Sequence, residues 1–268
     1  VSKIAFIGAG RMASAIVDGL VANNPKQGSE IACYSASGIS AAALAARTQI
    51  VHVSDLPELL ENADLVVIAF KPQHLGSADS RLAELTRGKI VLSILAAKTL
   101  DHLARVFPHA RNIVRTMPNT PSSIGAGITG WTARSELTAE DRKQVIQLLG
   151  SIGREIEVPE TKIDALMGVS GCGPAYVFEF TGALRDAGIA GGLTSEEAEQ
   201  LAVETVLGSA RLMARSDKSP EDLRDEVTSP NGTTHAGLQV LEKANFRDTM
   251  KAVVAAAKAR SEELANGA

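Results

Sequence analysis

A glycine-rich turn near the beginning of the chain has the spacing of a phosphate-binding loop. It reads Gly8-Ala9-Gly10-Arg11-Met12-Ala13 and fits the pattern G-x-G-x-x-A. The first glycine of such a pattern permits a tight turn, the second lets a pyrophosphate approach the backbone, and the small last residue lets a helix pack on a strand. The motif follows an apolar run and opens a helical pattern, which is the context that it requires. The residues expected to hold a dinucleotide here are Gly8, Gly10, Arg11, Met12 and Ala13. A tight turn without a ligand is the alternative.

The next expected strand ends in serines at a place where NAD-binding sites usually carry a carboxylate. The strand end reads Tyr34-Ser35-Ala36-Ser37-Gly38. Ser35 and Ser37 can donate hydrogen bonds to a 2′-phosphate without repelling it, so this loop favours NADP, with NADPH as the preferred reductant. Because the loop holds no Arg or Lys, its phosphate clamp is weak and NADH remains an alternative. Ordinary turn chemistry explains either serine alone equally well.

Two later strand ends are further candidates for cofactor contact, because ligands in open α/β sheets bind beyond the carboxyl ends of the strands. The first contributes Ala69, Lys71 and Pro72, although a solvated lysine at a strand end is an equal alternative. The second is the stiff polar loop within Arg115–Pro121. Its residues Met117, Pro118 and Asn119 are well placed to line one side of a nicotinamide site. An ordinary proline-rich turn is the alternative there.

A helix start in the second half of the chain has the chemistry of an anion site. The segment Ser229-Pro230-Asn231-Gly232-Thr233-Thr234 opens a helical pattern that runs to Ala244. Free N–H groups at a helix start bind anions, and a substrate carboxylate would suit them. Plain capping of the helix by Asn231 or Thr233 is the alternative that capping chemistry favours. The glycine-rich segment Gly168–Tyr176 interrupts another helical pattern, for close packing or for ligand contact.

Alternating elements position these residues in the first part of the chain. Apolar runs at about 3–7, 30–34, 64–70, 89–95, 111–116 and 154–158 predict strands, with helical patterns between several of them. Strands separated by helices predict a Rossmann-type, doubly wound, mostly parallel sheet. After Pro159 the patterns are all helical, at about 162–187, 194–214, 220–227, 233–244 and 246–264. Capping pairs are expected at two helix starts, Asp55 with Glu58 and Thr194 with Glu197. We therefore expect a nucleotide-binding domain over 1–158 and an all-helical domain over 159–268.

Composition narrows the class of protein. The net charge is −4 and aromatic residues make up 3% of the chain, so neither a nucleic-acid surface nor an anionic-membrane surface is expected. No apolar run reaches the length of a membrane span. The histidines and the two cysteines show no metal-ligand spacing, and no metal is expected. Two cysteines imply no disulfide framework, which favours a reducing, cytoplasmic setting.

Five motifs in order resemble one family, the pyrroline-5-carboxylate reductases. The resemblance runs from near Val1 to at least Glu242. Its motifs are Gly8–Ala13, Phe70–Gln73, Arg115–Pro121, Val169–Phe178 and Val227–Thr234. The chain departs from the family in four places. Ala97 and Asn231 stand where glycine is common, Cys172 replaces a frequent serine, and the cofactor loop lacks a frequent arginine.

The resemblance implies an enzyme that reduces 1-pyrroline-5-carboxylate to L-proline with NAD(P)H, the last step of proline biosynthesis. It implies a helical domain that interlocks two chains, active sites shared between the chains of a homodimer, and assemblies of dimers that are often decamers. By resemblance the loop Ser229–Thr234 binds the substrate carboxylate through backbone amides, with the substrate-binding residues Ser229, Asn231, Gly232, Thr233 and Thr234. Thr234 matches the threonine that hydrogen-bonds the ring nitrogen, and Met117, Pro118 and Asn119 match the loop beside the nicotinamide.

Two other functions remain open from the residues. One is a related reductase that acts on a different imine or on a 3-hydroxy acid; such enzymes usually offer a lysine as acid or base, and Lys162 lacks a supporting motif. The other is a non-catalytic NADP-binding regulator, which would need the turn at Gly8–Ala13 but no carboxylate-binding helix start.

Overall fold

The structure is a computed structural model that describes residues 3–265. The outer ends of the two expected domains, residues 1–2 and 266–268, lie outside the described residues. The chain divides into two compact units. The first holds the described residues up to Gly171 and those from Ala257 onward, and the second holds Cys172–Ala256.

The first unit is built on one eight-stranded sheet with the strand order β3-β2-β1-β4-β5-β6-β7-β8. The strands are β1 (Ile4–Ile7), β2 (Ile31–Tyr34), β3 (Val51–His52), β4 (Leu65–Ile68), β5 (Ile90–Ser93), β6 (Asn112–Met117), β7 (Gly127–Ala133) and β8 (Gly153–Glu157). Every pairing is parallel except that of β6 with β7. The expected Rossmann-type, mostly parallel sheet is confirmed.

The α-helices between these strands are α1 (Arg11–Asn23), α2 (Ile39–Thr48), α3 (Leu56–Leu60), α4 (Leu82–Leu85), α5 (Leu100–Val106) and α6 (Ala139–Gly150). A further helix, α7 (Ile163–Leu166), follows β8. Short 3-10 helices cover Pro25–Glu30, Pro72–Ser77, Thr120–Ile124 and Glu160–Lys162, and a π-helical turn covers Met167–Gly171. This π turn and the new helix that follows it account for the interruption predicted from the glycine-rich segment.

Two apolar clusters bury the two faces of the sheet. Successive side chains of a strand point to opposite faces, and accordingly Phe6 and Val67 belong to one cluster while Ala5 and Val66 belong to the other. A sheet buried on both faces explains why β1, β4 and β5 are continuous apolar runs rather than alternating ones.

The second unit is helical throughout. Its helices are α8 (Gly173–Ala190), α9 (Ser195–Arg215), α10 (Pro220–Glu226), α11 (Thr233–Lys243) and the first half of α12 (Phe246–Ala265). The capping box predicted at the start of α9 is confirmed, because Thr194 and Glu197 each bond the other's backbone N–H. Among residues 3–265, no helix is long and apolar enough to cross a membrane.

Four elements of the first unit were not predicted. β3 is only two residues long, α4 covers only four residues, and α5 is a single short helix with a capping box between Thr99 and His102. β7 contains two glycines and threonines, which weaken its strand pattern. The capping pair predicted for Asp55 and Glu58 is wrong: Asp55 does precede α3, but its side chain accepts no capping bond.

Candidate active site

The turn after β1 lies at the point where the strand order reverses. β1 pairs with β2 on one side and with β4 on the other. Beyond the strand ends, the Gly8 N–H donates to the carbonyl of Tyr34 (2.8 Å), and the Ala69 N–H donates to the carbonyl of Ile7 (2.8 Å). Three strand ends therefore meet at one crevice, which is where ligands bind in open α/β sheets.

Gly8 is fixed by its backbone and by its neighbours. Its φ is +107°, a conformation that favours glycine. A Cβ added to Gly8 would overlap the carbonyl group of Ala69. The end of β4 therefore contacts the turn directly, which gives Ala69 a structural role at this crevice.

Gly10 has surroundings unlike those of Gly8. It is the N-cap residue of α1, where no side chain forms a capping bond, and a Cβ placed on it would meet no protein atom within 4 Å. The space in front of the first free N–H groups of α1 is therefore open, as a pyrophosphate at a helix start needs. The residues present fit a dinucleotide. Arg11 is exposed beside this space, whereas Ala13 is buried under it.

The two serines after β2 differ in what they do. The Ser35 hydroxyl accepts a hydrogen bond from the backbone N–H of Ala41 (3.2 Å) in the first turn of α2. Ser37 is exposed in the turn that follows. Turn chemistry thus accounts for Ser35, and Ser37 is the serine whose side chain faces solvent at the expected ribose position.

Lys71 follows β4 and is exposed. It directly precedes the 3-10 helix that Pro72 opens, and Pro72 fixes the direction in which the chain leaves the strand. Lys71 is thus free to reach a ligand at this strand end, as expected from its position, and a solvated lysine remains the alternative.

The loop after β6 is held rigidly. Met117 ends the strand, and Pro118 and Asn119 are buried. The Asn119 side chain accepts a hydrogen bond from the Ile128 N–H (3.0 Å) and donates one to the carbonyl of Ser170 (3.1 Å). The 3-10 helix that follows this loop packs against α1. The loop therefore lies at the same edge of the sheet as the glycine-rich turn.

A polar cluster beside this loop was not predicted from the sequence. Arg115, on β6, pairs with Glu160 (3.1 Å) and with Asp164 (3.2 Å), and Asp164 also accepts a hydrogen bond from Ser261 (2.8 Å). One signal was available: an arginine inside the otherwise apolar strand of Ile113 and Val114 must find an acid partner. Which acid it finds depends on the fold.

The predicted anion site lies in the second unit, at the start of α11. Gly232 is the N-cap residue, and no side chain forms a capping bond. The alternative prediction, that Asn231 or Thr233 caps this helix with its side chain, is therefore wrong. Asn231 instead adopts a left-handed conformation (φ 59°), and Gly232 lies so close to Ser229 that a Cβ would overlap its hydroxyl. The first N–H groups of α11, including those of Thr233 and Thr234, point out of the helix end without a capping side chain.

Burial is the main cause of the shifted pKa values of three groups in this chain. Burial raises the pKa of the Cys33 thiol to about 11. Burial, followed by Arg105 and Lys98, lowers the pKa of His102, which caps α5. Cys172 is half-buried before α8. Burial and the Cys172 thiol raise the pKa of Tyr176. Within residues 3–265, no group of three or more His, Cys, Asp or Glu side chains could hold a metal ion.

Comparison with known proteins gives the same family over both units. Residues 160–264 match the model for pyrroline-5-carboxylate reductase dimerisation, and residues 3–97 match the model described as NADP oxidoreductase, coenzyme F420-dependent. The pyrroline-5-carboxylate reductase of Synechocystis sp. is 38% identical over 98% of both chains.

Solved structures agree with this comparison. The pyrroline-5-carboxylate reductase of Coxiella burnetii has a TM-score of 0.92 and 35% identity over 98% of both chains. The pyrroline carboxylate reductase of Plasmodium falciparum, solved with NADP bound, has a TM-score of 0.85 and 31% identity over 98% of both chains. The chain belongs to the pyrroline-5-carboxylate reductase family.

Proposed function

We propose that the chain reduces 1-pyrroline-5-carboxylate to L-proline with NADPH, as the last step of proline biosynthesis. Membership of the family over the full chain is the observation that carries this proposal. One hydride is added to the imine carbon and one proton to the ring nitrogen, so the products are proline and the oxidised cofactor.

NADPH is the proposed reductant, with NADH as a slower substitute. Gly8–Ala13 would hold the pyrophosphate at the start of α1, where the space beside Gly10 is open. Arg11 is a cation at the positive end of a helix, an unfavourable place unless an anion binds nearby. Ser37, and Ser35 to a lesser extent, would face the ribose, while Ala69, Lys71 and Pro72 would line the other side of the crevice. The match to an NADP oxidoreductase model supports this choice.

The substrate carboxylate would bind at the start of α11. Backbone N–H groups at an uncapped helix start carry partial positive charge and suit a carboxylate. The turn of Ser229, Asn231 and Gly232 shapes this end of the helix, and Thr233 adds a hydroxyl. An anionic ring held by its carboxylate has its imine group in a defined direction, which is the main requirement for hydride transfer.

The reaction requires the protein to position the substrate against the cofactor and to let one proton reach the ring nitrogen. The nicotinamide, when bound, supplies the hydride. Met117, Pro118 and Asn119 form the rigid loop proposed to lie beside it. The Thr234 hydroxyl would hydrogen-bond the ring nitrogen and connect it to water. Because the imine can arrive protonated, a strong general acid is unnecessary.

We further propose a homodimer in which each active site combines the nucleotide domain (1–158) of one chain with the helical domain (159–268) of the other, and assembly of such dimers into a decamer. Large apolar side chains exposed on the second unit support association, since a helical unit of a monomer would bury them. They include Phe178, Phe180, Leu201, Leu212 and Val240. The match to a dimerisation model supports it as well. A cytoplasmic location is part of the proposal.

The experiment is a substrate panel. Purified protein is incubated with NADPH or NADH and with pyrroline-5-carboxylate, a six-membered cyclic imine acid, or a 3-keto acid, and loss of nicotinamide absorbance is followed. We expect the highest kcat/KM with pyrroline-5-carboxylate and NADPH. A higher kcat/KM with either other substrate would assign the chain a different reduction. NADPH binding without turnover of any substrate would favour a non-catalytic role.

A further inference from the structure

Arg115 is a buried cation in the strand that leads to the nicotinamide loop. Only 3% of the residue is exposed. A guanidinium removed from water destabilises the fold unless it is paired and hydrogen-bonded. Its two partners are the Glu160 carboxylate (3.1 Å) and the Asp164 carboxylate (3.2 Å), both on the segment that follows β8. These two ion pairs therefore connect β6 to the segment that follows β8.

Each of these carboxylates has a second partner. The same Glu160 oxygen accepts the backbone N–H of Leu100 (2.7 Å), the first residue of α5. The same Asp164 oxygen accepts the hydroxyl of Ser261 (2.8 Å), which is completely buried in the last part of α12. Arg115 is thus held by two acids, each of which a second hydrogen bond fixes in place.

Asn119 binds the other end of the loop to the same segment. It is 8% exposed, and both halves of its amide are used, one by the Ile128 N–H and the other by the Ser170 carbonyl. Each half of the amide keeps one further hydrogen-bonding position, but the side chain is buried, so little of it is open to a ligand. Asn119 therefore suits holding the loop better than contacting the cofactor.

Met117, between these two residues, contacts the segment as well. Residues two apart in a strand point to the same face, so Met117 shares a face with Arg115. A Cβ on Gly171 would lie 3.0 Å from the Met117 methyl carbon, so the absence of a side chain at Gly171 lets the two approach. Arg115, Met117 and Asn119, every second residue of this stretch, therefore all contact residues 160–171. Pro118 lies between Met117 and Asn119.

We propose that Arg115 and Asn119 are positioning residues, which hold Met117 and Pro118 against the nicotinamide through residues 160–171, and that Ser261 stabilises this arrangement through Asp164. The proposal rests on the proposed function, because it takes the loop to lie beside the nicotinamide. Affinity for NADPH would reside mainly in the phosphate contacts at α1, whereas hydride transfer depends on the angle and distance of the ring. Loosening the loop should consequently lower turnover far more than binding.

Two substitutions test this arrangement. Ser261→Ala removes only the hydroxyl that donates to Asp164. Asn119→Asp keeps the acceptor for the Ile128 N–H but replaces the donor to Ser170 with a carboxylate oxygen that repels its carbonyl. Ser29→Ala is the matched control, since its exposed hydroxyl also donates one hydrogen bond, to the carbonyl of Lys26, far along the chain from the loop. Arg115 itself is left intact, because its removal would leave two carboxylates without their cation and would endanger folding.

Three quantities are measured. Amide hydrogen exchange in the peptide covering 112–126 reports how readily the loop opens when no substrate is present. NADPH fluorescence titration gives Kd, and steady-state turnover gives kcat. For both variants we expect exchange about tenfold faster in this peptide, the change that loss of one such hydrogen bond brings. We also expect kcat to fall about fivefold or more, with Kd for NADPH unchanged within about twofold. Ser29→Ala should match the wild type in all three quantities.

The positioning role is overturned if folded Ser261→Ala and Asn119→Asp exchange at the wild-type rate and keep wild-type kcat. It is equally overturned if Kd for NADPH rises as much as kcat falls, because Asn119 would then contact the cofactor directly. If the wild type does not reduce pyrroline-5-carboxylate, the proposed function fails, and the exchange measurement still decides whether these contacts hold the loop.

Discussion

Gly8 lies directly against the carbonyl group of Ala69, with no room for a side chain between the turn after β1 and the end of β4. Gly8→Ala would introduce both this overlap and a left-handed alanine. We expect the free energy of unfolding to fall by about 2 kcal/mol or more. Chemical denaturation monitored by circular dichroism measures this loss. A variant as stable as the wild type would contradict the turn geometry.

Gly10→Ala should behave in the opposite way. The added methyl group meets no protein atom and the backbone φ of −78° is ordinary, so stability should change by no more than about 1 kcal/mol. The methyl group would occupy the space proposed for the pyrophosphate. We expect Kd for NADPH to rise about tenfold or more, measured by fluorescence titration. Unchanged affinity would place the phosphates elsewhere.

Cofactor preference should depend on Ser37 rather than on Ser35. A carboxylate in Ser37→Asp would repel a 2′-phosphate, so we expect the ratio of kcat/KM for NADPH over NADH to fall about tenfold. Ser35→Ala instead removes the acceptor for the Ala41 N–H. It should cost about 1 kcal/mol of stability and leave the ratio nearly unchanged. Steady-state kinetics with both cofactors compares the variants, and a larger change of ratio in Ser35→Ala would reverse the assignment.

The elements that the sequence predicted well are those with strong local signals. The apolar runs of β1, β4 and β5 and the capping box at Thr194 depend on neighbouring residues alone, and each was confirmed. β7 was not predicted because its glycines and threonines are stabilised by pairing with β6 and β8, partners distant along the chain. Tertiary pairing decides such a strand.

The same limit applies to the site. The glycine turn could be assigned from spacing, because each position has its own steric reason. The contacts of Asp164 with Arg115 and with Ser261 could not, since these residues are brought together only by the packed sheet and the last helix. The capping of α11 was predicted incorrectly because the left-handed Asn231 makes Gly232, rather than either polar neighbour, the N-cap residue.

Two departures from the glycines common in the family fall at positive φ, at Ala97 (57°) and Asn231 (59°). An alanine in this conformation is strained, whereas asparagine tolerates it. Ala97→Gly should therefore raise the free energy of unfolding by about 0.5–1 kcal/mol, after the greater freedom of glycine in the unfolded chain is counted. Ala96→Gly is the matched control and should destabilise by a similar amount. Urea denaturation of both variants tests the prediction, and stabilisation by the control alone would refute it.

Thr234→Ala should lower turnover and spare cofactor binding. The hydroxyl is proposed to orient the ring nitrogen, so its loss should reduce kcat about tenfold or more, with Kd for NADPH within about twofold of the wild type. Thr234→Ser keeps the hydroxyl and should recover most of the activity. Steady-state kinetics with fluorescence titration separates the two effects. Full activity in the alanine variant would remove Thr234 from the mechanism.

The central claim is that this chain transfers a hydride to the imine carbon of pyrroline-5-carboxylate. Transfer of label tests it most directly: the protein is incubated with the substrate and NADPH carrying deuterium on the transferred side of the nicotinamide, and the product is analysed by mass spectrometry and by chromatography on a chiral column. We expect L-proline that carries one deuterium on the former imine carbon. Proline without deuterium, or no proline while NADPH remains bound and intact, would contradict the account.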